Sequence, residues 1–411
     1  MSSSTAASDR KPMVAAGTSN ALVLTALAYL PTVFCMMTVG VIVPFIDVLG
    51  AELAASRAQL GLSIALFSMP TAILATAGGA LIDRYGVRRS MLFAVATSSL
   101  GSLLASRAHS LLALDCAMLI SGAGFGGTCV SAPSLLIRTL TGPIRTRAMA
   151  FWSTFAPTGY AAGLLLAVPF TAHDAWHVAL RVHVAILLAV LPALVWLLPR
   201  TATGTATSRD SLRHTFSRML SIIREPRVLR LGIAVALPNA VSYGTSLAIP
   251  SYLARVHHLT IATSSAAVAG AKIAAMIIGG LSMGYLLSRA VSAGLLFGTM
   301  VAIGVLAQTL LFLPSSGLAL ATAALILWLF AFGGMAGAAM SLLPNVVGDP
   351  ARSGVASGVV NQFISLASFA APSTWLALHS SMQFVLLALV ALLASLFALP
   401  YKGAVRAPGR S

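Results

Sequence analysis

The chain has 411 residues, 58% of them hydrophobic and only 8% charged, with a net charge of +16. A soluble domain carries roughly a quarter charged residues, so this composition excludes a soluble globular protein. The apolar runs are continuous rather than alternating, which excludes a β-barrel, and the positive charge sits in loops rather than on the basic face that nucleic-acid binding needs.

Residues 1–20 are rich in Ser and Ala, carry Asp9, Arg10 and Lys11, and read as a disordered cytoplasmic tail. The apolar run behind them is about 25 residues long, more than a signal-peptide core. Each bilayer span needs about 20 apolar residues. On that rule twelve spans are expected, near 21–46, 58–82, 90–108, 111–136, 148–171, 176–199, 228–253, 262–287, 290–313, 317–342, 354–378 and 381–400. The expected organisation is a six-helix bundle over 21–199, a cytoplasmic linker over 200–227, a second bundle over 228–400 and a cytoplasmic tail over 401–411. Within the linker, Leu212, Phe216, Met219, Leu220 and Ile223 recur at helical spacing with Arg209, Arg213 and Arg218 opposite. That pattern predicts an amphipathic helix on the inner membrane surface.

Twenty of the 25 basic residues fall on the side of the termini, four on the other, and Lys272 inside a span. This bias places both termini in the cytoplasm. Cys35, Cys116 and Cys129 lie in apolar runs without metal or disulfide spacing and read as small core hydrophobes. All histidines but His214 fall near the outer side and read as interface residues, with no metal constellation. Gly122-x-Gly124-x-Gly126-Gly127 lies within an apolar span with no strand before it, so it reads as close helix packing rather than a nucleotide loop.

The most specific stretch joins spans 2 and 3: Gly79-Ala-Leu-Ile-Asp83-Arg84-Tyr-Gly86-Val-Arg88-Arg89. Gly79 permits close helix approach and Gly86 a tight reversal. Asp83 suits a helix cap or an arginine partner, and the arginines suit lipid phosphates. A shift of about 206 residues overlays the two halves. Pro31 and Pro44 fall on Pro238 and Pro250, Gly79 and Arg84 on Gly284 and Arg289, and Gly126-Gly127 on Gly333-Gly334, while Ser288 stands where the first copy has Asp83.

The G-x-L-x-D-R-x-G-x-R-R stretch and the duplication resemble the major facilitator superfamily of secondary transporters over about residues 20–400. The resemblance implies an all-α fold of twelve helices in two pseudo-symmetric bundles that rock about a central site. It implies that Gly79, Asp83, Arg84, Gly86, Arg88 and Arg89 form a conformational gate on the cytoplasmic side. Two features depart from the family: Met118 stands where many members carry a span 4 arginine, and Ala156-Pro157-Thr158-Gly159-Tyr160 matches the antiporter motif only in part. Proton coupling by that arginine and the direction of transport therefore stay open.

Lys272, about ten residues into span 8, is the leading candidate for substrate contact. A charge at that depth costs at least about 2.5–3.5 kcal/mol, so it should face a cavity, where an unpaired ammonium favours an anionic group. The alternative is a structural lysine bonded to backbone carbonyls or water, or one that deprotonates. Trp152, Tyr160, Asn239, Tyr243, Asn361 and Gln362 are further candidates for the cavity wall, or interhelical glue. Asp115 is a proton site or the partner of Arg181 in an outer gate, unless both snorkel to the interface. No span holds paired acids or metal-ligand spacing, and no ATP-binding P-loop is present, so neither an enzyme nor an ATP-driven pump is expected. The expectation is a monomeric secondary transporter, proton-coupled or an exchanger, with no cofactor, in a bacterial inner membrane. Its solute is an organic anion; the alternative is efflux of amphipathic drugs or secreted metabolites.

Overall fold

The computed structural model describes residues 18–199, 225–288, 292–343, 346 and 353–400, and helix lies in each of the twelve predicted spans. The first half runs α1 (Thr18–Ile42), α2 (Ile46–Glu52), α3 (Arg57–Tyr85), α4 (Val87–Ala105), α5 (Leu111–Thr139), α6 (Gly142–Trp152), α7 (Phe155–Ala167) and α8 (Trp176–Leu197). The second runs α9 (Pro226–Val256), α10 (Ile261–Ser288), α11 (Ala293–Leu311), α12 (Leu318–Ser341), α13 (Ser353–Leu376) and α14 (Ser381–Ala398). Among the described residues, eight helical stretches are long and apolar enough to cross a membrane by length and composition. Large apolar side chains point outward, Trp196 and Phe397 being 84% and 76% exposed, as a lipid-facing surface requires.

Local chemistry sets the ends of these helices. Ser56 and Gln59 form a reciprocal capping box at the start of α3, and Ser380 with Gln383 does the same for α14. Ser110 caps α5 and Ser292 caps α11. Gly86 adopts φ 79° between α3 and α4, so the predicted reversal sits where only glycine enters without strain. The fifth predicted span is not one helix. It breaks between Trp152 and Phe155. Pro157 lacks the N–H that would bond Ser153 and its ring crowds that carbonyl, which the length of the apolar run had concealed. The predicted amphipathic linker helix and both tails lie outside the described residues.

The packing partners of the first half recur in the second. α1 packs on α5, α7 and α8, and α4 bridges α5 and α8; correspondingly α9 packs on α12, α13 and α14, and α11 bridges α12 and α14. α3 lies on α5 as α10 lies on α12. The halves then meet through α3 against α13 and α7 against α10. Thr38, Ser98, Ser102 and Ser121 form a buried hydroxyl cluster joining α1, α4 and α5, with O···O distances of 3.1–3.5 Å. Such bonds hold helices together where water is absent.

Two smaller expectations change. His183 is fully buried in α8 rather than at an interface, one ring nitrogen lying 2.8 Å from the Phe34 carbonyl oxygen of α1. Cys116 is exposed on α5, whereas Cys35 is buried as expected.

Candidate functional site

A cavity of about 270 Å³ lies between the halves, midway along the helices. Its first-half wall comes from α1, α3, α5 and α7, and its second-half wall from α9, α10, α12 and α13. Lys272 is the only charged side chain on its lining, and no carboxylate faces it among the described residues. The ammonium donates to Ser246 Oγ at 2.6 Å and stands 4.7 Å from the centroid of the Tyr160 ring. An ammonium has three donors, so this leaves two for a bound group.

Tyr160 ties the halves together beside the lysine. Its hydroxyl, carried by α7, donates to the Ser246 carbonyl of α9 at 2.5 Å. Asn239 and Tyr243 also line the cavity. The Asn239 amide nitrogen donates to Ser368 Oγ at 3.0 Å. Thr71 Oγ1 is buried with no hydrogen-bond partner among the described residues, and the Tyr243 hydroxyl lies beside Ser68. Buried polar atoms left open on a cavity wall are where a ligand or water belongs.

Of the seven substrate-contact candidates, Lys272, Tyr160, Asn239 and Tyr243 thus converge on one cavity. The other three do not line it. Trp152 packs on Phe155 at 4.7 Å, one layer behind the wall. Asn361 is exposed on α13, because it lies one residue off the face that carries Val360 and Ile364 inward. Gln362 donates to the Ala72 carbonyl at 3.0 Å, joining α13 to α3. Ser68, Thr71, Ser242, Ser365 and Ser368 complete the polar lining, and Phe67, Phe125, Phe155 and Phe332 its aromatic part. Sequence reading passed these over, since a lone hydroxyl or ring in an apolar span is indistinguishable from core filling.

Asp115 and Arg181 do not pair. The carboxylate accepts from Ser63 Oγ at 2.5 Å, linking α5 to α3, and Arg181 is exposed on α8. α4 packs between α5 and α8, which keeps the two apart. At the α3–α4 turn, Arg88 donates to the Val195 carbonyl near the end of α8, and the Arg84 guanidinium lies 5.3 Å from the Tyr85 ring centroid. Arg89 borders a separate groove of about 640 Å³ between α3, α4 and α5. The backbone at Gly79 and Asp83 is helical, but the environments of these two residues lie outside what is described.

The contact of α3 with α13 extends from mid-depth to the end opposite the α3–α4 turn. There Gly61 meets Pro372 and Ser373 so closely that a Cβ on it would stand 2.6 Å from the Pro372 carbonyl oxygen. At the same end the 3-10 turns Val43–Phe45 and Val168–His173 reach α10.

The family profile of the Major Facilitator Superfamily matches residues 26–372. Among curated relatives, the inner membrane transport protein YajR of Escherichia coli is 27% identical over 55% of this chain and 49% of its own length. The cephamycin export protein CmcT of Amycolatopsis lactamdurans is 33% identical over 42% of this chain and 35% of its own. The gallate transporter of Pseudomonas putida is 31% identical over 36% of this chain and 33% of its own. The chain thus matches half or less of the length of each of these relatives. In three dimensions it superposes on a bacterial homolog of the human lysosomal transporter Spinster, in an inward-facing and unoccupied conformation. That match has a TM-score of 0.70 and 15% identity, and covers 93% of this chain and 95% of the other. The nucleoside transporter NupG matches with a TM-score of 0.69 at 12% identity, over 92% and 98%. At such identities the likeness is one of fold.

Proposed function

The chain belongs to the Major Facilitator Superfamily, and from that premise we propose that it is a secondary active transporter of a small organic anion. The observation that carries this reading is the ammonium of Lys272 on a cavity wall that has no other charged side chain among the described residues. In a low-dielectric site an uncompensated cation favours a ligand bearing the opposite charge. The hydroxyl of Thr71, without a partner among the described residues, adds a group that a carboxylate or similar group can engage.

In the proposed cycle, the end where Gly61 meets Pro372 is the outer end and is closed in this structure. The solute reaches Lys272 from the side of the termini, which the basic bias assigns to the cytoplasm of a bacterial inner membrane. Reopening the outer end separates α3 from α13 and α7 from α10, which removes Tyr160 from Ser246 and changes the surroundings of Lys272. The site residue and the contact between the halves therefore move together, as alternating access about a fixed site requires. The α3–α4 turn, with Gly79, Asp83, Arg84, Gly86, Arg88 and Arg89, would close the cytoplasmic side in the opposite state. An ion gradient, protons by preference, or exchange would supply the drive.

Efflux of amphipathic compounds is the second reading, favoured by the aromatic walls at Phe67, Phe125, Phe155 and Phe332 and by the relative that exports cephamycin. Counterflow in proteoliposomes with wild type and Lys272→Gln separates the two. Loss of carboxylate flux with the substitution supports the anion. Unimpaired efflux of an uncharged or cationic dye by the same variant, without carboxylate flux in wild type, replaces it with the second reading.

A further inference from the structure

Phe332 also lines the second half and Ser68 and Thr71 the first, but the rings in mutual contact lie on one wall of the cavity and the ammonium on the other, and this placement narrows the substrate. Three rings form one continuous surface on the first half. Phe67 stacks on Phe125 with centroids 5.1 Å apart at 21°, and Phe125 meets Phe155 at 6.0 Å and 56°. All three line the cavity and come from α3, α5 and α7. The ammonium, the Asn239 amide and the Tyr243 hydroxyl stand on the second half. We infer that the substrate is a flat aromatic monocarboxylate, its ring against Phe67, Phe125 and Phe155 and its carboxylate on Lys272. This rests on the anion reading above and adds the shape and charge of the solute.

Charge number follows from the count of partners. One ammonium matches one negative charge, and a second carboxylate would enter a buried space with no second cation among the described lining residues. Size follows from volume: about 270 Å³ lies just below the usual range of small-molecule sites and suits one or two rings rather than a large amphiphile. Aromaticity follows from the wall. A saturated ring buries similar area, but only an aromatic one gains the offset-stacked or edge-to-face attraction that quadrupoles supply beyond burial. The Tyr243 hydroxyl, on the same wall as the ammonium and beside Ser68, offers the same carboxylate a second donor.

The test is thermal unfolding of the purified full chain in detergent, titrated with benzoate, cyclohexanecarboxylate, phthalate and benzyl alcohol, since a ligand bound to the native state raises the midpoint with its occupancy. Benzoate is expected to bind about three- to tenfold more tightly than cyclohexanecarboxylate, the range set by an aromatic pair. Phthalate and benzyl alcohol should bind at least about tenfold more weakly than benzoate, from the unpaired charge in one and the lost ion contact in the other. Phe125→Leu should bring benzoate down to the affinity of cyclohexanecarboxylate. Equal affinity of benzoate and cyclohexanecarboxylate in wild type overturns the aromatic assignment and leaves the anion reading standing. So does a preference that survives Phe125→Leu. Phthalate binding as tightly as benzoate overturns the single charge. Benzyl alcohol binding as well as benzoate, or no stabilisation by any carboxylate, sinks the anion reading and this inference together.

Discussion

In the first half, glycines let backbones touch: Gly40 meets Gly163, Gly101 meets Ser121, Gly122 meets the Phe67 backbone, and Gly124 meets Ser98. In the second half, the closest approaches are to rings, Gly232 to Phe363 and Gly244 to Trp375; Gly279 stands 3.5 Å from the Phe330 carbonyl and Gly298 3.7 Å from a Leu396 methyl, while Gly270, Gly333 and Gly358 have nothing among the described residues within 4 Å of where a Cβ would stand. The packing partners are nonetheless the same in both. One architecture is therefore reached by two routes: backbone-to-backbone approach, which demands glycine, and side-chain filling, which tolerates exchange. The cavity follows the same division. The first half brings a wall of contacting rings and the second brings the ammonium.

Substitutions that act on one half at a time break this contrast or sharpen it. Lys272→Gln should have the largest effect, lowering carboxylate counterflow roughly 10- to 100-fold, which is what a charge-assisted hydrogen bond contributes. A loss as large from any single first-half ring would erase the division of labour. Asp83→Asn should reduce flux by on the order of tenfold with unchanged thermal stability, since the second half carries Ser288 there and has no carboxylate to replace it. Normal flux in proteoliposomes would make the turn a topological signal alone.

Gly124→Ala should destabilise by about 1–3 kcal/mol, read as a lower unfolding midpoint in detergent, because the added methyl meets the Ser98 backbone rather than a movable side-chain end. Tyr160→Phe removes the bond to Ser246 that crosses between the halves. It should shift the balance of conformers about fivefold toward separation of α3 and α13, as one net hydrogen bond would. Spin labels at the Gly61 end of these helices report that balance, and an unchanged distance distribution would count against the coupling. Gly270→Ala should have the smallest effect, a gain of up to about 1 kcal/mol from the stiffer helix, since the site is open. A loss there as large as at Gly124 would mean the second half packs as tightly as the first.

The candidate site was legible in the sequence only where chemistry is rare in an apolar helix. Lys272 is the one lysine inside a span, and its depth alone argues for a cavity. Asn361 shows the limit: an amide in an apolar run marks a polar position, but a helix turns about 100° per residue, so one step of register decides between cavity and exterior. The pairing of Asp115 with Arg181 failed for a different reason. Similar depth along two helices says nothing of whether a third lies between them, and here α4 does.

By itself the sequence determined that this chain belongs in a bilayer, where its long apolar runs fall and which motifs recur between its halves. Hydrophobic length, charge bias and spacing are properties of the chain read along its axis, and the bilayer imposes them one span at a time. Only the tertiary structure decided that span 5 breaks before Pro157, that Ser246 and Tyr160 hold Lys272, and that Phe67, Phe125 and Phe155 form one wall. These depend on the rotation of each helix about its own axis and on which helices become neighbours, and an apolar span whose faces look alike carries no record of either.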